Sequence, residues 1–380
     1  MIPIKKEAVL VRPEDVKPSN KKLEVVGTFN PGAARLKNGN IVLYVRVVEK
    51  LIEDESENFY YSPRCTGVNK CNVVVDKFNK KNTESKSDVD IVFKDGTKRL
   101  TFISHLRRII LDVSGLSVRS IDKHPSFGGI TEDGELGVED ARITKFGDKY
   151  YMTYVALSRL GNVSTSLAVS KDCMNWKRKG TMFREQNKDV VLFPERINGK
   201  YVAFNRPEGN FQFTPPKIWI SFSNNLKLWG ESRPIKFSEK NHWDYARTGA
   251  GPPPIKTDKG WLLIYHGVSQ HKIKKYKVPK IIRKIVGYED DVYDVYSVGA
   301  ALFDLKKPYK LIAKTPQPII SPRRKYEKEG FVDNVIFPTG IVYTRGHNNI
   351  LLYCGGGDTV TTVKKIAINE IMKSLKKVRI

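Results

Sequence analysis

One hairpin-sized phrase returns along this chain with a constant grammar, and it restricts the fold more than any bulk property does. It reads Phe29-Asn30-Pro31-Gly32-Ala33-Ala34-Arg35, Val138-Glu139-Asp140-Ala141-Arg142, Phe193-Pro194-Glu195-Arg196, Gly251-Pro252-Pro253-Pro254 and Asn334-Val335-Ile336-Phe337-Pro338. Each copy passes a Gly- or Asn-marked turn into an aromatic, β-branched run such as Lys149-Tyr150-Tyr151-Met152-Thr153-Tyr154 or Ile350-Leu351-Leu352-Tyr353. Each run then ends in a polar group: Arg46, Ser158-Arg159, Asn205-Arg206, His266 or Asp358. Repetition of such a unit, with reactive residues at the ends of its strands, predicts an all-β chain built as a five-bladed β-propeller. Function is expected where the copies converge.

The remaining pattern fits one propeller domain over residues 1–380. Period-2 alternation and turn dipeptides dominate, and helical spacing is confined to the tail, where Ile368, Ile371 and Leu375 predict a short C-terminal helix. Two stretches interrupt the repeat, at about 50–100 and 271–295, and read as lids, acceptor-site walls or oligomer contacts; a homo-oligomer is therefore among the expected assemblies. In Ser170-Lys171-Asp172 and Ser223-Asn224-Asn225, each followed by Trp, the Asp or Asn closes a turn onto the backbone, a structural role.

Bulk properties exclude several classes. The four cysteines are too scattered for a disulfide framework, and Cys65 and Cys71 lack a second pair at zinc-site spacing. Reduced thiols and no metal are expected. No apolar run has the length of a signal peptide or a membrane span, so the protein is expected to be cytoplasmic and to have no membrane partner. The net charge of +25 is spread along the chain among many acids, with its densest cluster from Lys272 to Lys284. Screened at about 8 Å in physiological salt, such charge favours an anionic substrate without specifying nucleic acid, and no nucleic-acid partner is expected.

The polar ends supply the chemistry. Neighbouring strand residues face opposite ways, so within Glu139-Asp140-Ala141-Arg142 one carboxylate can enter a pocket while the other braces the backbone or Arg142. A surface ion pair is the commoner role for such a sequence, but its repeat position favours a site. Arg46, Arg159, Arg196, Arg206 and His266 recur at corresponding positions, and their convergence would bind a dianion such as phosphate. Gly355-Gly356-Gly357-Asp358 lacks the ending of a nucleotide-binding loop.

The stretches Gly137–Ile143, Leu192–Tyr201, Gly249–Gly267, Gly299–Leu305 and Gly330–Pro338 together resemble glycoside hydrolase family 130. The resemblance runs from about Phe29 to the C-terminus, outside the two insertions. It implies a five-bladed propeller acting on β-mannosides, with inorganic phosphate as co-substrate and no other cofactor. It implies Asp140 as general acid, its proton passing through the mannosyl 3-hydroxyl. It also implies Arg159, Arg196, Arg206 and His266 around phosphate, with Arg46 and Asp358 lining the mannosyl subsite and Asn30 beside them. The first insertion and Ser104-His105-Leu106-Arg107 are similar to the subgroup acting on β-1,2- or β-1,4-linked mannobiose and mannooligosaccharides. Ala141 where Pro is usual, Asn205 before Arg206 and the basic insertion after His266 depart from the pattern, and the last bears on linkage.

An inverting hydrolase needs a second carboxylate to activate water, roughly 6.5–9.5 Å from the acid. Phosphate is already a nucleophile and needs cations instead. The cations favour an inverting phosphorylase that releases α-mannose 1-phosphate. In the rival reading, an inverting β-mannosidase, Glu195 or Asp189 is the base; the other rival is a non-catalytic glycan-binding propeller.

Overall fold

The computed structural model describes residues 1–68, 71–184, 186–209, 213–272 and 292–378. Five antiparallel sheets follow one another along the chain, each a meander that starts at one edge and steps outward. The leading strands are Leu23–Arg35, Gly137–Phe146, Asn187–Leu192, Arg247–Ala250 and Ile336–Tyr343. The fifth sheet is completed from the other end of the chain, where Lys6–Val11 pairs with Val360–Ala367.

Burial follows position in the meander. The second strands, such as Ile41–Leu51 and Asn349–Gly356, are buried almost throughout and read as continuous apolar runs because neighbouring sheets cover both faces. The outermost strand of the third sheet, Gly230–Pro234, is exposed at every residue, and its charges and proline protect a free edge. Leading strands pack on one another, first on second and fifth, second on third, and third on fourth. The two turns expected to be structural form alike: the Asp172 carboxylate accepts from Met174 and Asn175 N–H at 2.8 and 2.9 Å, and Asn225 from Lys227 and Leu228 at 2.9 and 3.0 Å. The expected C-terminal helix is Ile368–Ser374. Among the described residues no helix is long and apolar enough to cross a membrane.

The described residues of the first insertion form two small sheets. Phe59–Thr66 and Asn72–Asn79 form a hairpin, followed by a three-stranded sheet from Thr83–Lys86, Asp90–Phe93 and Lys98–Leu100. Cys65 and Cys71 are joined by a disulfide across that hairpin, correcting the expectation of reduced thiols; Cys173 and Cys354 are free and buried. Only spatial pairing brings these two together, since the pattern carries no framework. The second insertion extends a long hairpin of the fourth sheet, and its basic cluster beyond Lys272 lies outside the described residues.

A buried ion pair ties the fifth sheet to the helix Lys325–Lys328. Lys364 Nζ lies 2.7 Å from Glu327 Oε1, while Glu327 Oε2 accepts the N–H groups of Arg323 and Arg324 at 2.8 and 2.9 Å. Removing one member of a buried pair leaves the other charge desolvated, at a cost of about 3–5 kcal/mol. Glu327→Ala should therefore lower the thermal unfolding midpoint by several degrees, and an unchanged midpoint would show that the pair carries no such stability.

Candidate active site

The leading strands share a local device. Pairing with the second strand slips between Phe29 and Gly32, between Glu139 and Arg142, and between Lys188 and Val191. Within each slip one residue turns left-handed: Asn30 at φ 49°, Asp140 at φ 50° and Asp189 at φ 54°. Asn and Asp tolerate this conformation better than other side chains, which is why they occupy the bulges. The result redirects three polar side chains into one pocket of about 190 Å³.

Register also selects the partners. The residue before each bulge pairs across to the second strand, giving Phe29 with Arg46, Glu139 with Val155 and Lys188 with Arg206; Gly249 pairs with His266 in the fourth sheet. Two expected residues fall off this pattern. The second-sheet equivalent of Arg46 is Val155; Arg159 lies beyond the strand end, where Glu135 holds its Nε at 2.7 Å outside the pocket. In the third sheet the bulge is at Asp189, and Arg196 sits in the turn after Leu192, exposed, stacked 4.3 Å over the Tyr201 ring. The Pro194-Glu195-Arg196 copy of the phrase follows the strand Asn187–Leu192, at the opposite end from its bulge at Asp189.

Within the pocket, one group surrounds Asp140. Asn30 Nδ2 donates to Asp140 Oδ1 at 3.0 Å and Arg46 Nη1 donates to the same oxygen at 3.3 Å. Arg46 Nη2 holds Glu139 at 2.6 Å. Asp140 Oδ2 makes no hydrogen bond among the described residues, and the buried Asn30 Oδ1 has no partner there either. Asp358 lines the same end. Burial pushes its carboxyl up to about 7, with Asp140 and Glu139 adding to the effect and Arg46 opposing it.

The second group is built on Asp189. Its Oδ1 takes Arg142 Nη2 at 2.8 Å and its Oδ2 takes Arg206 Nη1 at 2.5 Å, with His266 Nε2 at 3.5 Å. Burial alone would raise the Asp189 carboxyl, but Arg206, His266 and Arg142 outweigh it and bring it down to about 2. Arg206 Nε also meets Glu208 at 2.8 Å, and Arg247 donates to the Tyr296 hydroxyl at 2.9 Å. Arg142 ties the groups together, since its Nη1 donates to the Asp140 carbonyl at 2.7 Å.

His266 is fully buried behind this pocket, its ring 4.4 Å from that of Phe337. Burial pulls its imidazole down to about 3 despite Asp189, so it is neutral and braces Arg206. It is not the pocket cation expected. Arg142 likewise braces from behind.

Lys188, Arg247 and Tyr296 line the pocket and were missed. A signal existed for Lys188: Lys188-Asp189 repeats the placement of Glu139-Asp140 immediately at a bulge. Arg247 and Tyr296 carried none, because they reach the pocket from the fourth sheet only through folding. Lys188 has no ion pair among the described residues, and it is the one pocket cation there without a bonded carboxylate or phenol.

This acid-and-cation pocket on a five-sheet frame belongs to a known class. Residues 127–377 match the family model of glycoside hydrolase family 130, described as β-1,4-mannooligosaccharide phosphorylase. The chain belongs to this family. It is 32% identical to a β-1,2-mannobiose phosphorylase from Listeria innocua, with 97% of each chain covered. A solved structure of β-1,2-mannobiose phosphorylase from that organism, in complex with β-1,2-mannobiose, superposes at TM-score 0.80 over 96% of both chains at 32% identity. A 1,2-β-oligomannan phosphorylase from Thermoanaerobacter is 38% identical over 68% of this chain and 77% of its own. A β-1,4-mannooligosaccharide phosphorylase from Ruminococcus albus is 29% identical over 62% of this chain and 64% of its own.

The raised Asp358 carboxyl has a signed consequence. Its folded value near 7 exceeds the ordinary 3.8, so the folded state holds the extra proton between these limits and stability falls as pH rises toward 7. Asp358→Asn removes this loss. The melting temperature of the variant, relative to the wild type, should rise between pH 4.5 and pH 8; a difference independent of pH would contradict the assigned proton.

Proposed function

We propose that this protein is an inverting phosphorylase of β-mannosides, in which Asp140 is the general acid and Lys188, Arg206 and Arg247 receive phosphate. The single observation that carries the reading is the pairing, in one pocket, of a carboxylate held on one oxygen only with a cation that has no carboxylate partner among the described residues. Arg46 and Asn30 fix Asp140 Oδ1, leaving Oδ2 to deliver the proton toward the leaving oxygen through the mannosyl 3-hydroxyl. Glu139 and Arg46 set the angle of this acid, while Asn30, Arg46 and Asp358 receive the mannosyl hydroxyls. Phosphate held by the cations attacks the anomeric carbon from the opposite face, giving α-mannose 1-phosphate and a shortened acceptor. Tyr296 and Arg247 add directional donors to a site where each charge-assisted bond contributes about 1.5–3 kcal/mol.

The bases considered for hydrolysis do not support that route. Glu195 is a surface residue bound to Lys256 at 2.6 Å, and Asp189 lies among Arg142, Arg206 and His266, which hold it at about 2, too weak to activate water. We assign β-1,2 linkages, supported by the near-complete match to the Listeria mannobiose phosphorylase and the shorter, weaker match to the β-1,4 enzyme. We further propose that the five sheets are blades around one axis in a single domain, supported by the side-by-side leading strands and the N-terminal strand that completes the last sheet. The same reading puts the reaction in the cytoplasm, where phosphate is supplied and the charged product retained.

Incubation with β-1,2- and β-1,4-mannobiose, with and without phosphate, tests the reaction. Phosphate-dependent α-mannose 1-phosphate from the β-1,2 sugar is expected; free mannose at equal rates in both buffers would overturn phosphorolysis. Asp140→Asn should reduce kcat by about 10²–10⁴, the span of general acid catalysis, with an unchanged melting temperature. Lys188→Ala should raise KM for phosphate by about 10- to 100-fold while leaving KM for the mannoside nearly constant. A Cβ on Gly249 would lie 2.1 Å from Asp189 Oδ2 and 2.3 Å from His266 Cε1. Gly249→Ala should therefore displace Arg206 and cost about 10²-fold in kcat/KM for phosphate; wild-type kinetics would remove Asp189 from the supporting frame.

A further inference from the structure

The leading strands of the first, second and fifth sheets run on past the active pocket to a second concavity. Five residues beyond Asn30 lies Arg35, five beyond Asp140 lies Lys145, and beyond Phe337 the fifth-sheet strand ends at Tyr343. At about 3.3 Å per residue, the two sets are separated by roughly 16 Å along the same strands. The second cavity, about 520 Å³, is lined by residues of these three sheets and their turns.

Its chemistry is the opposite of a neutral crevice. Arg35, Lys37, Lys145 and Arg345 line it, and no Asp or Glu does. None of the four has an ion pair among the described residues, although the protein has enough acids to pair many other cations. The half-buried Arg35 is held only by neutral acceptors, its Nη1 donating to the Gly39 and Val113 carbonyls at 2.7 and 3.2 Å and its Nη2 to the Tyr343 carbonyl at 2.8 Å. Burial lowers its proton affinity and the neighbouring Arg345 lowers it further, against the opposing effect of Tyr353. Like charges are thus concentrated here without compensation, an arrangement that an anion would relieve. Aromatic surface accompanies the charge. The Tyr343 ring, half-buried, lies in the wall with His347 4.9 Å away, and Lys145 stands 5.9 Å over the Tyr150 ring.

We propose that this cavity is a second binding site, for a hexose phosphate monoester. Guanidinium groups match phosphate oxygens in a planar fork, and an aromatic face receives the apolar side of a pyranose ring. The volume falls within the range of about 300–1,000 Å³ usual for small-molecule sites. The site is built from the strands that carry Asn30 and Asp140 but uses neither of those two side chains, so it is independent of the catalytic assignment.

Calorimetric titration in 0.15 M salt, where diffuse surface charge is screened, tests this. The probes are mannose 6-phosphate, α-mannose 1-phosphate and inorganic phosphate; the proteins are the wild type, Lys188→Ala and the double variant Lys145→Ala/Arg345→Ala. Mannose 6-phosphate should bind the wild type and Lys188→Ala equally and the double variant at least tenfold more weakly. In Lys188→Ala, inorganic phosphate should bind at least tenfold more weakly than the monoester, because it leaves the aromatic wall unused. The double variant should retain the wild-type melting temperature and rate of phosphorolysis. Unchanged monoester binding in the double variant, or equal affinity for phosphate and monoester in Lys188→Ala, would overturn the proposal. Because mannose 6-phosphate is not the proposed product, the result stands whether or not the catalytic reading does.

Discussion

The pocket depends on the buried carboxylate of Asp189. It accepts a hydrogen bond from Arg142 on one oxygen and pairs in charge with Arg206 on the other, with His266 beside it. Arg142 in turn fixes the backbone of Asp140, and Arg206 reaches into the pocket toward Glu208. One anion therefore sets the separation between the acid and the cations. Buried ion pairs are weak sources of stability because desolvation offsets their attraction, and their value here is geometric. Gly249 shows how closely the surrounding backbone approaches, since even a methyl group there would collide with Asp189 and His266.

The bulges supply the second constraint. Left-handed Asn30, Asp140 and Asp189 each place a polar side chain where a regular strand would have buried an apolar one. Such conformations cost about 1–3 kcal/mol each and persist where the surrounding structure overdetermines them. Here they are fixed by strand pairing on either side. Asp358 reaches the same space from a turn, also left-handed at φ 46°, and its burial near two other carboxylates sets it apart electrostatically from Asp189. The two aspartates diverge: arginines at both oxygens bring Asp189 down, whereas desolvation, with Asp140 and Glu139 adding to it, pushes Asp358 up.

Most of the fold was legible because strand periodicity and turn chemistry are local. The alternating runs, the Ser-x-Asp/Asn turns before Trp and the C-terminal helix all depend on residues close in sequence. The site was legible in part. Asn30, Arg46, Glu139, Asp140, Arg206 and Asp358 line one pocket, whereas Arg159 and Arg196 lie outside it and Arg142 and His266 stand behind it. The errors came from register. A recurring phrase names a strand without saying which end of it faces the pocket, and in the third copy the pocket end is at Asp189, not Arg196. The paired cysteines Cys65 and Cys71 were missed for a related reason, since the hairpin that apposes them is interior to an insertion with no repeat to compare.

By itself the amino-acid sequence determined the β architecture, the repeated unit and the polar residues at the ends of its strands, Asp140 among them. These follow from side-chain period, turn residues and charge, which are properties of short segments. Tertiary structure decided which cations meet the pocket, why His266 is neutral, and that Asp189 braces the site and is too acidic to act as a base. Those outcomes depend on burial and on charges brought together from different sheets. Lys188 and Arg247 are separated by 59 residues and line one pocket only after the third and fourth sheets have formed.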